Sequence, residues 1–549
     1  MVGRLLPRRS DYTGMGSSWR RDVIAGLTVG VVALPLALAF GIASGLGARA
    51  GLITAIVAGL VAGVFGGSNV QVSGPTGAMA VVLVPIVARY GAKSVAVVGV
   101  LAGAMMVIAA FARLGRFLAF IPWPVIEGFT VGIAAIIFLQ QVPNALGVTK
   151  PTGTNNAIVA ARSLQAAAHG GAVPAAIAIV ALVAASMVLL PRLHRTIPAS
   201  LVAVVAATIL AQAAHLNVTR IGTLPSSLPL PALPGMSTSL VSHLLGAAFA
   251  VAMLASIESL LSAKVADGMV DGPRSDPDRE LFGQGFANIA TSMFGGMPAT
   301  GAIARTAVNV RAGGRTRLAA IVHSLFLIAI VFLASGLVSR IPLAALAGIL
   351  MVTAVRMVEP HNVRAVLRAS RGDAVVLLIT AATTIAFDLI LAVEVGVAVA
   401  ALLALRAVAR ASTVAIDPIA SELDDDTEQQ LLHDHIVVYR IDGSIFFGAA
   451  QRFLTELTAI TEVKVVILRL AGVHILDATG ANALQETVAE LEHRGITVLL
   501  KGVRPEHRRA LQAVGTFDRL ATHDHIFDNL DDAITHARTH ITRALTTPP

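Results

Sequence analysis

Glu258 is the residue with the most chemistry to offer. It lies inside an apolar run, about 240–263, where a carboxylate is costly and marks a functional site by default. Burial disfavours its charged form and a nearby anion disfavours it further, so it is expected to take up a proton as an anion arrives. Ser262 stands one turn on. With Glu258 and backbone carbonyls it makes a candidate sodium site. The plain structural alternative is a carboxylate neutralised by Lys264 or Arg305. Glu127 and Asp388 lie toward the ends of apolar runs, where solvation is easier, and read as structural.

Two glycine-rich stretches supply anion chemistry. Phe65-Gly-Gly is followed after a spacer by Thr76-Gly-Ala-Met-Ala80, and Phe294-Gly-Gly by Thr300-Gly-Ala-Ile-Ala304. Each places Gly and Pro where a membrane helix has to break, which lipid tolerates only where protein or water satisfies the backbone. Paired interruptions in two halves of a chain point to a substrate site. A helix that starts inside the membrane presents unpaired N–H groups and the positive end of its dipole, and two such ends make an anion site. The expected donors are the N–H groups of Thr76, Gly77 and Ala78 on one side and of Thr300, Gly301 and Ala302 on the other. Ala304 and Arg305 complete the set. Arg305, about one and a half turns into the second helix, adds a charged planar fork; the alternative is that it snorkels to an interface. Phe40 is a candidate lid over the ligand, though a lone aromatic is more often core.

The elements that carry these residues belong in lipid. Of 549 residues, 55% are hydrophobic and 13% charged, where a soluble domain carries roughly a quarter charged. Mean hydropathy is +0.77. The net charge of +8 comes largely from Arg in short segments between apolar runs, a pattern of membrane orientation rather than of a nucleic-acid surface. Without Cys there is no disulfide framework and no thiolate metal site. The histidines show no ligand spacing, and nothing resembles a nucleotide phosphate loop. No metal or cofactor is expected.

Residues 1–21 form a basic tail, placed in the cytoplasm, without the pattern of a cleaved leader. Spans are expected near 23–44, 52–65, 95–112, 125–142, 173–190 and 199–214, with a half-helix from 76 and an external loop, 143–171, carrying one surface helix. The second half repeats the pattern at 240–263, 282–294, a half-helix from 300, 318–337, 343–357, 374–387 and 391–408, with a polar loop at 264–280. Every dense Arg cluster then falls on one side. The result is 14 transmembrane segments in a 7+7 inverted repeat within 22–412, with halves at about 22–220 and 240–412. An acidic linker, 413–432, leads to a soluble domain, 433–549. Strands at 435–441, 463–470 and 496–500 and helices at 481–494 and 505–514 make it a small α/β domain.

Arg21-Asp-Val-Ile-Ala-Gly-Leu-Thr-Val-Gly30, Val72-Ser-Gly-Pro-Thr76, Gly128-Phe-Thr130, Ile257-Glu-Ser-Leu-Leu261, Ala266-Asp-Gly268 and Asn309-Val-Arg-Ala-Gly313 resemble the sulfate permease (SulP) family of anion transporters. The resemblance implies a polytopic α-helical membrane protein with core and gate domains and a substrate between two half-helix N-termini. It also implies an elevator-like motion, usually a homodimer, and a bacterial inner membrane with both termini cytoplasmic. The family's acidic residue of the eighth span falls on Glu258, and its basic residue after the second half-helix start falls on Arg305. Leu36 follows Pro35 where many relatives carry Gln. Glu258 stands where sodium-coupled bicarbonate members tend to have Asp, so H+ is expected as coupling ion over Na+. In the tail, Leu476-Asp-Ala-Thr-Gly-Ala481 resembles a STAS domain, with Thr479 at the position phosphorylated in anti-sigma-factor antagonists. The alternative is that Asp477 and Thr479 only cap a helix. Cytosolic regulatory proteins are the partners such a domain implies, with no nucleic acid.

Together these readings lead to the expectation of a secondary active transporter, not an enzyme, moving sulfate, bicarbonate or a C4-dicarboxylate by proton symport. Sodium-coupled bicarbonate transport is the alternative. A membrane-anchored STAS regulatory scaffold and a passive anion channel are the readings from other classes; an anchor needs neither the repeated stretch nor a buried acid.

Overall fold

The computed structural model describes residues 2–116, 122–153, 155–171, 173–193, 198–222, 227–270, 274–386, 389–411, 413–416, 435–445 and 463–546. The chain divides into two units, Met1–Val397 and Ala398–Pro549. A short α1 (Val2–Leu5) precedes the first half: α2 (Met15–Ala43), α3 (Ala48–Phe65), α4 (Gly77–Tyr90), α5 (Ser94–Phe111), α6 (Trp123–Leu146), the surface helix α7 (Asn156–Ala166), α8 (Pro174–Leu193) and α9 (Ala199–Ala213). The second half runs α10 (Thr238–Asp267), α11 (Pro277–Met293), α12 (Ile303–Arg311), α13 (Leu318–Val338), α14 (Leu343–Met357), α15 (Pro360–Ala369), α16 (Arg371–Ala386) and α17 (Leu389–Ala411). Among the described residues eight helical stretches are long and apolar enough to cross a membrane, and Gly77–Tyr90, Ala199–Ala213 and Val395–Arg406 are shorter apolar helices.

The helices pack as two related sets. Exchanging α2 with α10, α3 with α11, α5 with α13, α6 with α14 and α8 with α16 maps one packing list onto the other. The pair α5 and α11 becomes α13 and α3, α2 with α13 becomes α10 with α5, and α6 with α16 becomes α14 with α8. The pairs α3 with α11 and α6 with α14 map onto themselves. At the centre two-residue strands β1 (Ser73–Gly74) and β2 (Thr300–Gly301) pair antiparallel, Ser73 opposite Gly301 and Gly74 opposite Thr300. Close helix approach depends on small residues: a Cβ at Gly41 would lie 2.9 Å from the Cα of Gly51, so α2 and α3 touch backbone to backbone there.

Three boundaries differ from those read in the sequence. The first helix begins at Met15, and Asp22 lies buried within it, accepting from Arg315 N (2.7 Å), Thr316 N (3.0 Å) and Thr316 Oγ1 (2.7 Å). The supposed loop 264–280 is partly helix: α11 starts at Pro277 under an Asp276 cap and takes Glu280 into the core. Arg364 and Arg368 lie on a helix of their own, α15. Asp388 lies outside the described residues.

In the second unit β4 (Ile436–Ile445), β5 (Val465–Arg469), β7 (Thr497–Lys501) and β8 (Ile526–Phe527) run parallel in that order, β6 (Val473–Leu476) also pairs with β4, and β3 (Thr413–Ile416) is antiparallel to β4. The first residues assigned to the linker are thus an edge strand, held by the ladder from Thr413 opposite Asp442 to Ile416 opposite Tyr439; 417–434 lie outside the described residues. Helices α18 (Ala478–His493), α19 (Pro505–Ala513), α20 (Thr516–Thr522) and α21 (Leu530–Thr546) complete the domain. Strand β5 is apolar on both faces, as expected of a central parallel strand. Val466 and Leu468 pack with Leu484 and Leu491, while Val465 and Ile467 pack with Leu530 and Ile534.

Candidate functional site

The two broken stretches meet at one carboxylate oxygen. Pro75 cannot continue a helix backwards and Thr76 caps α4, its Oγ1 accepting from Met79 N at 3.4 Å. The same hydroxyl donates to Glu258 Oε2 at 2.8 Å. Thr300 Oγ1, from the other half, donates to that same Oε2 at 2.7 Å. The two hydroxyl oxygens are 3.3 Å apart. Over the α4 mouth lie Phe40 of α2, 6% exposed, and Ile137 of α6. A Cβ on Gly77 would stand 3.2 Å from Phe40 Cε1 and meet Ile137 Cδ1, so a larger residue there would have to push the Ile137 methyl aside. Thr76, Gly77, Thr300, Glu258 and Phe40 are therefore brought together.

The donor set on the second side needs correction. Gly301 N–H donates to Ser259 Oγ at 3.0 Å and Ala302 N–H to Val72 O at 2.9 Å, so neither is available to a ligand. The cause is the β1–β2 ladder, which draws Thr300 and Gly301 into extended backbone and delays the helix until Ile303, with Ala302 as its cap. Thr-Gly-Ala therefore occupies different stations in the two halves: Thr76 corresponds to Ala302, and Ala78 to Ala304. The N–H groups at the mouth of α12 belong to Ile303, Ala304 and Arg305. Among the described residues no acceptor is seen for Gly77 and Ala78 N–H at the mouth of α4.

Arg305 sits in the first turn of α12 rather than one and a half turns in, and it does not snorkel: it is 2% exposed. Its Nη2 donates to Pro75 O and its guanidinium packs against Gly74, while Nη1 has no partner among the described residues. Ser262 is turned away from Glu258: its Oγ lies 3.2 Å from Thr306 Oγ1, which accepts from Val72 N at 3.0 Å. The pairing of Glu258 and Ser262 in one ion site is not what the geometry brings together; Thr76 and Thr300 take that place.

Behind the site a polar scaffold escapes the sequence reading. Glu280, 1% exposed, accepts from Gly67 N (2.7 Å), Ser68 N (3.1 Å), Gln71 Nε2 (3.0 Å) and Gln284 Nε2 (3.1 Å). Asn288 holds Ala299 through both backbone groups, at 2.8 and 3.0 Å, and Thr54 holds Met297 the same way, at 2.8 and 3.0 Å. Asn309 Nδ2 donates to Val70 O at 2.7 Å. The broken backbone is paired as a membrane interior demands. The missed signal is the spacing of Glu280, Gln284 and Asn288, four apart on one face of a largely buried helix.

In the second unit Asp477 Oδ1 accepts from Gly480 N at 2.7 Å and caps α18, while Thr479 is exposed in its first turn, so the cap is Asp477's alone. The expectation that the histidines lack ligand spacing fails there. His536 and His540 are one turn apart on α21, and the ring of His525 joins them. Burial, with His540, His536 and His523 beside it, holds the His525 imidazole down at about 4.

Paired helix sets and two half-helix mouths meeting at one acid make up the fold and the site. Residues 19–380 match the sulfate permease family, and residues 430–533 match the STAS domain. The chain belongs to the sulfate permease family and is a membrane-embedded anion transporter, not an enzyme, with a carboxyl-terminal STAS domain. YvdB of Bacillus subtilis, which bears the name of a sulfate transporter, is 33% identical over 94% of this chain and 97% of its own. The bicarbonate transporter BicA of Synechocystis is 29% identical over 94% of each chain. The transmembrane domain of a cyanobacterial BicA superposes with a TM-score of 0.63 at 30% identity, over 70% of this chain and 97% of that one. Murine solute carrier 26 family member A9 shares the fold, with a TM-score of 0.82 at 18% identity over 95% and 91% of the two chains.

Proposed function

We propose that this chain is a proton-coupled symporter of a small oxyanion, sulfate, bicarbonate or a C4-dicarboxylate, working by an elevator-like motion of core against gate. The observation that carries the reading is the single Glu258 oxygen shared by Thr76 and Thr300. When charged, Glu258 itself answers the positive ends of α4 and α12. An anion entering between them meets a like charge, and a proton on Glu258 removes that repulsion and releases a hydroxyl. Anion and proton therefore enter together. Gly77, Ala78, Ala304 and Arg305 supply the donors, and Phe40 covers them. The names of YvdB and BicA support the substrate class. Sodium is the second reading, because Glu258, Thr76 and Thr300 converge three oxygens that a cation could also take.

In this reading the protein is a homodimer in a bacterial inner membrane with both termini in the cytoplasm. Its STAS domain meets regulatory proteins there, and Thr479 is exposed for phosphorylation. The experiment is uptake of labelled sulfate, bicarbonate and succinate into proteoliposomes under an inward proton gradient, with and without sodium. Accumulation of one anion that follows the proton gradient alone supports the reading. Accumulation that requires sodium replaces it with the second, and flux that dissipates every gradient without coupling replaces both with a channel.

A further inference from the structure

The last helix of the STAS domain carries a cluster that transport does not use. His536 and His540 present their rings on one face of α21, and His525 stands immediately before β8. His525 Nε2 lies 3.2 Å from His540 Nε2, and His540 Nε2 lies 3.2 Å from His536 Nε2. A ligand atom from each of the three falls within 4.8 Å of the other two.

Hydrogen bonding between the rings accounts for only part of this convergence. A neutral imidazole nitrogen carries either one hydrogen or one lone pair. His540 Nε2 faces two other Nε2 atoms, so a single proton can bridge one contact and leaves the other poorly matched. A metal ion takes all three lone pairs at once. With Zn–N bonds of about 2.05 Å in tetrahedral geometry, ligand nitrogens stand about 3.3 Å apart, close to both separations seen. Imidazole donors suit Zn2+, Cu2+ and Ni2+, and hard Mg2+ and Ca2+ prefer oxygen.

We propose that His525, His536 and His540 form a binding site for a Zn2+-class divalent ion, with three imidazole nitrogens and one open position. The ring centroid of His523 is 5.8 Å from that of His525. The ion would clip α21 to the β8 edge. Leu530, Ala533, Ile534 and Ala537 of that helix already cover one face of the sheet. Because a metal bound only by the folded domain adds its binding energy to folding, the clip secures the final helix.

The test uses the full-length protein in detergent, carrying no histidine tag, stripped with chelator and dialysed against Zn2+ alone. One Zn2+ per chain is expected, and Co2+ in its place is expected to show the visible absorption of a tetrahedral site. His525→Asn and His540→Gln are each expected to lower the affinity about tenfold or more, and His493→Gln, on an exposed position of α18, to leave it unchanged. Zn2+ should raise the melting temperature of the native chain and not that of His540→Gln. Should the buried His525 variant fail to fold, His540→Gln on the half-buried helix face decides alone. Absence of stoichiometric Zn2+, or full affinity in a folded His540→Gln, overturns the proposal.

Discussion

Exchange of Glu258 for Gln keeps the side-chain shape and one oxygen, so Thr76 and Thr300 retain an acceptor where they now donate at 2.8 and 2.7 Å. The charge is lost. Two charge-assisted bonds of about 1.5–3 kcal/mol each become neutral ones of about 0.5–1.5, a cost of about 2–3 kcal/mol in all, which leaves a folded protein to assay. The proton site goes with the charge. One pH unit supplies about 1.4 kcal/mol per proton, enough for about tenfold accumulation of an anion carried with one proton when the membrane potential is held at zero. The native protein in proteoliposomes is expected to approach that ratio. Glu258→Gln should equilibrate its anion without concentrating it, while exchange of labelled for unlabelled anion continues. Glu258→Ala is the harsher control. It leaves two hydroxyls unpaired at about 1–3 kcal/mol each and should lower the melting temperature further than Gln does. A Glu258→Gln protein that still concentrates its anion tenfold would refute the proton role.

Arg305→Met removes a buried cation whose Nη1 has no protein partner. The loss of a charged contact of about 1.5–3 kcal/mol predicts a KM for uptake raised about tenfold or more, and an unchanged KM discards Arg305 as an anion partner. Glu280→Ala strands the four donors of Gly67, Ser68, Gln71 and Gln284. At about 1–3 kcal/mol each this should abolish the monodisperse peak in detergent chromatography, and a normal peak would remove the scaffold role. Asp11 is held down at about 2, first by its hydrogen bond to Arg279, with which it pairs at 2.7 Å. Its folded pKa lies below the unfolded value, so the pair stabilises the protein above about pH 4, and the contribution disappears as pH falls from about 4 to about 2. The gap in melting temperature between native and Asp11→Asn protein should close over that window; a gap that persists at pH 2 contradicts the assignment.

Apolar runs announce the membrane helices reliably because backbone in lipid has few alternatives to the helix. The α/β tail is legible for a similar reason: a strand apolar at every position, such as 465–468, has to be covered on both faces. What is illegible is long-range. The offset between Thr76 and Thr300 comes from pairing of 73–74 with 300–301, which no local pattern reports. Asp278-Arg279-Glu280 reads as loop because three charges in a row rarely enter a core. They do so here because each finds a distant partner: Asp278 accepts from Gly115 N, Arg279 pairs with Asp11, and Glu280 accepts from Gly67 N and Ser68 N. Ser262 looks like a neighbour of Glu258 by helical spacing, yet its hydroxyl finds Thr306 instead. The spacing of His536 and His540 is visible in the chain, but the arrival of His525 depends on the last strand of the sheet.

The brackets behind the site run from each half to the other: Glu280 holds Gly67 and Ser68, Asn309 holds Val70, and Thr54 holds Met297. This sets an order for biosynthesis. As the chain leaves the ribosome, the amides of residues 67 and 68 have no acceptor until some two hundred further residues have been made. The amino-terminal half is thus inserted with an unfinished centre, which the translocon or neighbouring lipid headgroups must shelter in the meantime. Each half of the repeat thus completes the other. Two half-length polypeptides made in one cell would have to find one another before either could close its broken helix.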